Sequence, residues 1–330
     1  MQFRPRYLAS PIQKDLENQK MVFLGGPRQV GKTTLALSLL GPDATETHPA
    51  YLNWDAISNR KAIRQQHLPS HQPTVIYDEI HKYARWRNLI KGLYDTHKSK
   101  VRIIVTGSAR LDYYRKGGDS LQGRYHYFRL HPLSIGEVGE GAVDKLMQLG
   151  GFPEPFFSGS ERTLRRWQNA RIERVVYEDL RDLEKVRELS LLEHLVDALP
   201  SRVGSPLSIQ SLAEDLSVAF RTIDRWIEML ERLYVCFRIS PYGAPKIRAV
   251  KKERKLYFWD WSMVPDMGAR FENMIASHLL KYCHFIEDTE GYRMDLRFIR
   301  DRDGREVDFV VLKEGKPLFA VECKSGERAF

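Results

Sequence analysis

A glycine-rich segment near the N-terminus has the residue types of a phosphate-binding loop. It follows the order Gly26-x-x-x-x-Gly31-Lys32-Thr33. The glycines allow the backbone to curl so that successive N–H groups point at one anion, the lysine adds positive charge, and the hydroxyl can bind Mg²⁺. The segment predicts a site for ATP with Mg²⁺, formed by Gly26, Pro27, Arg28, Gln29, Val30, Gly31, Lys32, Thr33 and Thr34.

The residues on either side of this loop favour a strand before it and a helix after it. Residues 21–24 are a short apolar run, and residues 34–40 are good helix formers. The phosphate would therefore lie at a helix N-terminus, where backbone N–H groups and the helix dipole attract anions. A chance glycine-rich turn would lack this strand-loop-helix setting, so the setting favours a nucleotide site.

Two carboxylates follow a second apolar run, residues 74–77. Asp78 is predicted to hold Mg²⁺, and Glu79 is predicted to polarise the attacking water. Acidic residues are also common where a strand simply leaves a sheet, but the upstream loop favours the catalytic interpretation. After the next apolar run, residues 101–105, Thr106 or Ser108 is a candidate to orient the water, and a plain turn is the alternative.

Five short strand-like segments alternate with helical stretches in the first 134 residues: 21–24, 51–54, 74–77, 101–105 and 125–128. This alternation predicts an α/β fold with a mostly parallel sheet covered by helices. Ligands bind at the carboxyl ends of such strands. The loop, Asp78 and Thr106 all follow strand-like segments, so three motifs indicate one site.

The motifs resemble those of AAA+-type P-loop ATPases, and more specifically a prokaryotic family that joins such a core to a C-terminal domain of unknown function. The resemblance covers nearly the whole chain and is carried by the loop and by residues 78–81, 106–108, 121–125 and 130–134. It implies a homo-oligomer with shared nucleotide sites, in which an arginine before the fifth strand reaches a neighbour's γ-phosphate. Arg124 occupies that position, Arg110 is a second candidate, and a plain surface arginine is the alternative.

The same resemblance implies a helical lid after the ATPase core, which is expected to span residues 1–134. Residues 135–186 are helical in pattern and rich in charge, and residues 150–155 resemble a turn that related ATPases place near the nucleotide. Arg165 and Arg166 are candidates for a lid arginine. A solvated helix face is the alternative interpretation of this charged run.

Residues 187–260 have the order of a winged-helix domain, three helices followed by two strands. The second helix is expected to begin after a capping serine, Ser208. The third helix and the basic stretch between the strands are predicted to contact DNA phosphates. Winged helices also bind proteins or act as spacers, which remain alternatives here. The candidate DNA contacts are Arg221, Arg225, Lys251, Lys252 and Arg254.

Residues 261–330 resemble the PD-(D/E)xK nuclease superfamily through Glu272, Asp308 and the pair Glu322-x-Lys324. Residues 322 and 324 would share one face of a strand, with a metal-binding carboxylate beside a lysine. Asp308 would be the second metal ligand, and Glu272 would reach in from a helix. An inactive relic or a surface Glu-Lys pair is the alternative.

The overall composition describes a globular protein of several domains. The chain has 330 residues, of which 42% are hydrophobic and 29% charged. No run approaches the ~20 apolar residues of a membrane span, and no signal peptide is evident. The three cysteines are far apart, which favours a reducing, cytoplasmic setting over disulfides or zinc. A net charge of +9 favours a polyanionic partner, although many basic proteins bind no nucleic acid.

Three functional hypotheses follow from these patterns. The first is an ATP-hydrolysing AAA+ protein that remodels, translocates or processes DNA as a homo-oligomer. The second is a nucleotide-dependent switch whose C-terminal domains bind a protein partner. The third is an ATP-gated, metal-dependent DNA nuclease. Stimulation of ATP hydrolysis by DNA distinguishes the first from the second, and cleavage that depends on Asp308 identifies the third.

Overall fold

The computed structural model describes residues 5–107, 121–175, 177, 189–243, 254–300 and 305–324. The chain forms two compact units, Met1–His131 and Pro132–Phe330. The first unit confirms the predicted α/β fold, with a parallel sheet between helices. Because the second unit carries a sheet of its own, the two units are described separately.

The strands of the first unit are short and mostly buried, as their apolar sequences predict. They are β1 (Met21–Gly25), β2 (Tyr51–Asn53), β3 (Thr74–Asp78), β4 (Arg102–Thr106) and β5 (Tyr125–Arg129). The helices between and before them are α1 (Ala9–Glu17), α2 (Lys32–Ser38), α3 (Ile57–Arg64) and α4 (Trp86–His97).

The first sheet has the order β2-β3-β4-β1-β5, and all of its neighbouring strands are parallel. Its three central strands are buried along nearly their whole length, which explains their continuous apolar sequences. Phe23, Tyr77 and Trp86 are among the residues that form the core on one face of this sheet. The order places β4 between the strand before the loop and the strand that ends in Asp78.

The second unit begins with short helices and continues into a helical region. The helices are α5 (Ile135–Val138), α6 (Val143–Leu149), α7 (Pro153–Ser158), α8 (Glu161–Arg174), α9 (Leu189–Ala198), α10 (Ile209–Asp215), α11 (Phe220–Arg232) and α12 (Met267–Glu290). Ser208 caps α10 as predicted, since its side chain accepts a hydrogen bond from the Ser211 N–H group.

The second sheet contains β6 (Cys236–Pro241), β7 (Lys255–Phe258), β8 (Met294–Arg300), β9 (Glu306–Lys313) and β10 (Lys316–Val321). Its order is β10-β9-β8-β6-β7. β6 pairs antiparallel with β7, as a wing hairpin would, but it also pairs parallel with β8. The domain boundary expected at residue 260 therefore falls inside one sheet.

The prediction that residues 322 and 324 lie on a strand is wrong. β10 ends at Val321. The backbone N–H of Cys323 donates to the side chain of Asp308 on β9 at 2.7 Å, and not to the backbone of that neighbouring strand. Glu322 and Lys324 are both exposed beyond this strand end.

No helix within the described residues is long and apolar enough to cross a membrane.

Candidate nucleotide site and C-terminal carboxylate cluster

The backbone of the glycine-rich loop curls as its residue types predict. Gly26 and Gly31 have φ angles of 131° and 98°, which glycine adopts without steric cost, and Gln29 is left-handed with a φ of 61°. A Cβ atom on Gly26 would lie 2.4 Å from the carbonyl oxygen of Leu130, so no larger residue fits there. Gly31 precedes α2 with no side-chain cap on that helix.

Two residues that the sequence did not single out support this loop. The buried guanidinium of Arg6 donates to the carbonyl oxygen of Val30 at 2.8 Å and also to that of His131. The Tyr7 hydroxyl donates to the Arg129 carbonyl at 2.8 Å. These contacts tie the loop to the end of β5. Nothing in the local sequence indicates them, because the partners are more than 100 positions apart for two of the three bonds.

The carboxylate of Asp78 lies at the centre of the site. Its Oδ2 accepts hydrogen bonds from Thr33 Oγ1 at 3.0 Å and from the Tyr51 hydroxyl at 2.6 Å. Its Oδ1 accepts a hydrogen bond from the fully buried hydroxyl of Thr106. The structure thus brings the side chains of Thr33 and Thr106 to the same carboxylate, that of Asp78. Thr106 contacts Asp78 directly, and its hydrogen bond supports that carboxylate.

Glu79 begins a short turn beside Asp78 and is held by neighbours. It has a φ of 53°, and its backbone N–H donates to the Thr106 carbonyl at 3.0 Å. Its Oε2 lies 3.2 Å from Lys82 Nζ and 3.7 Å from His81 Nε2. Burial alone would lower the pKa of Lys82, but its hydrogen bond to Asp55 and the charge of Glu79 outweigh burial and raise that pKa. The lysine is therefore cationic and pairs with both acids.

ATP with Mg²⁺ fits the chemistry of the residues at this edge of the sheet. Thr33 and Asp78 bring a hydroxyl and a carboxylate oxygen within 3.0 Å of each other, and Mg²⁺ prefers such oxygen ligands. Lys32 is buried, and its Nζ donates to the Gly26 and Pro27 carbonyls at 3.0 and 2.6 Å. Its ammonium group is therefore at the loop, where a triphosphate would need a positive charge.

Arg124 lies at the other end of the sheet from this site. It comes directly before β5, which is parallel to β1, whereas the loop follows the carboxyl end of β1. Its guanidinium forms a two-bond pair with Asp95 on α4, at 2.8 and 3.2 Å. Ser108 and Arg110, the other candidates from the sequence, lie outside the described residues. A role for Arg124 at a neighbour's site stays a prediction.

The candidate DNA contacts differ in exposure. Arg221 and Arg225 are exposed on α11, whose apolar side is buried through Ile223, Ile227 and others. Arg254 is only partly exposed, and its Nη2 lies 3.7 Å from Asp224 Oδ1. Lys251 and Lys252 lie outside the described residues.

The second unit contains a carboxylate cluster around a lysine that the sequence did not single out. The Nζ atom of Lys255 contacts Glu306 and lies 3.3 Å from Glu272 Oε1 and 3.8 Å from Asp308 Oδ1. Glu272 also accepts a hydrogen bond of 2.7 Å from the Tyr257 hydroxyl. Burial alone would lower the pKa of Lys255, but its hydrogen bond with Glu306 and the surrounding carboxylates raise it. This lysine is therefore an ammonium ion in the folded chain.

The predicted nuclease-like set is thus only partly assembled. Glu272 and Asp308 approach the same atom, but that atom is Lys255 Nζ. Glu322 and Lys324 instead form an exposed pair with each other at 3.4 Å. Among the described residues, no group of three or more His, Cys, Asp or Glu side chains has an arrangement that could hold a metal ion.

Protein-family models match three consecutive regions of the chain. Residues 18–139 match an AAA domain, residues 140–273 a domain of unknown function (DUF8612), and residues 267–329 another domain of unknown function (DUF4143). The AAA match contains the loop, Asp78, Glu79 and Thr106. The resemblance of the N-terminal part to AAA-type ATPases is therefore confirmed, and the nuclease-like interpretation of the C-terminal part stays a prediction.

Whole-chain relatives are found in bacteria and archaea. Uncharacterized proteins of Mycobacterium bovis and Mycobacterium tuberculosis are each 26% identical over an alignment of 344 residues, which covers 97% of this chain and 76% of the relative. An uncharacterized protein of Methanocaldococcus jannaschii is 22% identical over an alignment of 390 residues, which covers 98% of this chain and 79% of the relative.

Solved structures with similar folds include several ATPases. The Walker-type ATPase of Pyrococcus abyssi is 14% identical, with a TM-score of 0.47, over 82% of this chain and 98% of that one. The Orc1 protein of Aeropyrum pernix, solved in complex with DNA, is 12% identical, with a TM-score of 0.37, over 82% of this chain and 92% of that one. These TM-scores are below 0.5, so the assignment rests on the strand order and the family match. The N-terminal unit therefore has the α/β fold of a P-loop ATPase and matches an AAA domain over residues 18–139.

Proposed function

We propose that the chain hydrolyses ATP and acts on DNA as a homo-oligomer. The observation that carries the first part is the meeting of the phosphate-binding loop with Asp78, where Thr33 Oγ1 lies 3.0 Å from Asp78 Oδ2. In this proposal Lys32 binds the β- and γ-phosphates, and Thr33 and Asp78 hold Mg²⁺. The metal would neutralise charge on the phosphate oxygens during transfer.

Glu79 is proposed to polarise the attacking water. Its carboxylate leads the turn directly after Asp78, and the hydrogen bond from its N–H to the Thr106 carbonyl fixes the backbone there. Its Oε2 lies 3.2 Å from Lys82 Nζ, and this contact constrains the direction of the carboxylate. A carboxylate at this place can accept a hydrogen bond from water, which is the property a general base needs.

The proposed DNA contact is the exposed side of α11. This helix follows α10 in a helix-turn-helix order, and its Arg221 and Arg225 are exposed while Ile223, Trp226 and Ile227 are buried. A helix fixed by its apolar side and carrying cations on the other can lie against phosphates. The net charge of +9 favours the same kind of partner.

Steady-state ATP hydrolysis with and without duplex DNA tests the proposal. Asp78→Asn is expected to lower kcat by roughly 100-fold or more, because a metal ligand contributes several kcal/mol to the transition state. DNA is expected to raise the rate of the wild type. The double variant Arg221→Gln/Arg225→Gln should lose that stimulation, and it should reduce the salt dependence of DNA binding by about two counterions.

A charge-matched variant provides the control. Arg162 and Arg174 are exposed on α8, and their replacement by Gln removes the same charge elsewhere. The control is expected to keep both DNA binding and stimulation. Equal losses of DNA binding and stimulation in the two double variants would show that net charge alone explains the effect. A wild type that hydrolyses ATP but neither binds DNA nor responds to it would favour the switch that binds a protein partner.

A further inference from the structure

The C-terminal carboxylate cluster already contains a cation that belongs to the chain. Three carboxylates surround the Lys255 ammonium group, from Glu272 on α12 and from Glu306 and Asp308 on β9. The lysine side chain is 1% exposed, while the carboxylates are 17–26% exposed. The positive charge is therefore deep in the cluster, and the acids lie between it and solvent.

Each of the three carboxylates also has a second partner within the chain. Glu272 Oε1 accepts from the Tyr257 hydroxyl, and Asp308 Oδ2 accepts from the Cys323 N–H group, both at 2.7 Å. Glu306 Oε2 lies 4.0 Å from Arg300 Nε. Each acid thus has a donor or cation in addition to Lys255.

A metal-dependent nuclease of the type that the sequence resembles needs a different arrangement. Its metal ions are bound by carboxylate oxygens, and Mg²⁺ requires distances of about 2.0–2.1 Å and near-octahedral geometry. Here Glu322, which was expected to bind the metal together with Asp308, is 51% exposed and pairs with Lys324. The residues present do not fit a resident divalent cation.

We infer that the Lys255 ammonium takes the place of a divalent metal ion in this cluster, so that the C-terminal unit is held together by charge without a metal and does not cut DNA. Lys255 begins β7, Glu272 lies on α12, and Glu306 and Asp308 lie on β9. The ammonium therefore joins the hairpin after the helix-turn-helix to the rest of the sheet. This inference is independent of the proposed ATPase and DNA functions.

Titration with Mn²⁺ in the absence of nucleotide tests this assignment. The full chain carries Asp78→Asn throughout, so that the ATP site adds no metal ligand. With Lys255 intact, we expect no Mn²⁺ binding that Asp308→Asn removes. Lys255→Met should bind Mn²⁺ at least about tenfold more tightly, because three carboxylates lose their internal cation. Lys255→Arg, which keeps the charge, should not, and Lys255→Met/Asp308→Asn should lose the gain.

Two results would overturn the assignment. One is saturable Mn²⁺ binding by the chain with Lys255 intact that disappears in Asp308→Asn, or DNA cleavage with the same dependence. The other is a folded Lys255→Met chain that gains no affinity for Mn²⁺. If Lys255→Met does not fold, the midpoint of unfolding of the chain with Lys255 is measured at increasing Mn²⁺ concentrations instead. A resident metal would raise that midpoint with Mn²⁺ concentration by mass action, whereas an internal ammonium leaves it unchanged.

Discussion

Asp78 is held by three hydroxyl groups, and each comes from a different element. Thr33 lies on α2, Tyr51 on β2 and Thr106 on β4, and together they use both carboxylate oxygens. Burial, followed by the nearby charge of Asp78, raises the pKa of Tyr51 far above its ordinary value. Tyr51 therefore stays protonated and donates to Asp78. A carboxylate fixed in this way keeps its orientation, which suits the Mg²⁺ ligand that we propose Asp78 to be.

Tyr51→Phe tests the importance of that orientation. The variant keeps the ring and removes one hydrogen bond to a charged acceptor, worth about 1.5–3 kcal/mol. We expect kcat for ATP to fall roughly tenfold or more and the Mg²⁺ concentration for half-maximal rate to rise. The control is Tyr94→Phe, which removes a hydroxyl bonded to the Gln19 carbonyl. If Tyr51→Phe stays within about twofold of the wild type in both readouts, Tyr51 does not position Asp78 for catalysis.

The sequence indicates part of this site for a simple reason. Asp78 and Thr106 end β3 and β4, and Thr33 lies on α2 after the loop that follows β1. The carboxyl ends of parallel strands meet at one edge of a sheet. Tyr51 could not be found in this way, since its role depends on β2 lying next to β3. The role of Arg6 could not be predicted either, because its acceptors, the carbonyl groups of Val30 and His131, come close to it only in the folded chain.

At the scale of elements, one neutral histidine joins two helices of the second unit. His278 on α12 accepts a hydrogen bond from the Ile135 N–H of α5 at Nε2, at 3.0 Å. Its Nδ1 therefore carries the proton and donates to the Met274 carbonyl at 2.8 Å. Lys281 on the same helix contacts Glu137 of α5. Burial, with a contribution from the Lys281 charge, lowers the pKa of His278 to about 4.

This contact predicts a loss of stability in acid. Because the folded-state pKa lies below the ordinary value of about 6.5, the stabilisation is complete above pH ~6.5 and declines as the pH falls towards ~4. The full difference is about 3 kcal/mol. Urea unfolding of the wild type and His278→Gln across this range measures it. The advantage of the wild type should shrink on acidification, and parallel pH profiles for the two chains would contradict the role given to His278.

Elements were harder to predict where their partners are distant in sequence. The helix spacing around Ser208 and the β6–β7 pairing follow from local patterns. The pairing of Ser240 with Arg297 on β8 does not, because it depends on a register between segments separated by a long helix. In the sequence, Lys255 is one basic residue among several in a charged stretch. Only the packing of β7 against α12 and β9 brings it to the carboxylates.

At the scale of the whole molecule, the open question is whether one chain completes the nucleotide site of another. Arg124 is the candidate, and within its own chain it pairs with Asp95 at 2.8 Å. Both side chains are substantially exposed, so solvent screens this pair. An arginine that is only partly committed within its own chain can exchange that partner for the phosphate of a neighbour. The pair is therefore compatible with a structural role within one chain and with a role at a neighbour's nucleotide site, and substitutions distinguish the two.

If Arg124 acts at a neighbour's site, Arg124→Ala should lower ATP hydrolysis by roughly 1000-fold or more, the size of effect known for such arginines. Asp95→Asn breaks the same ion pair but leaves the arginine, so it should keep most of the activity. Mixing Arg124→Ala chains with Lys32→Ala chains should restore activity, since the first keeps a complete loop and the second supplies the arginine. Steady-state rates of the co-assembled chains give the answer. Equal losses in Arg124→Ala and Asp95→Asn, without recovery on mixing, would make the pair a structural contact within one chain and leave each nucleotide site complete by itself.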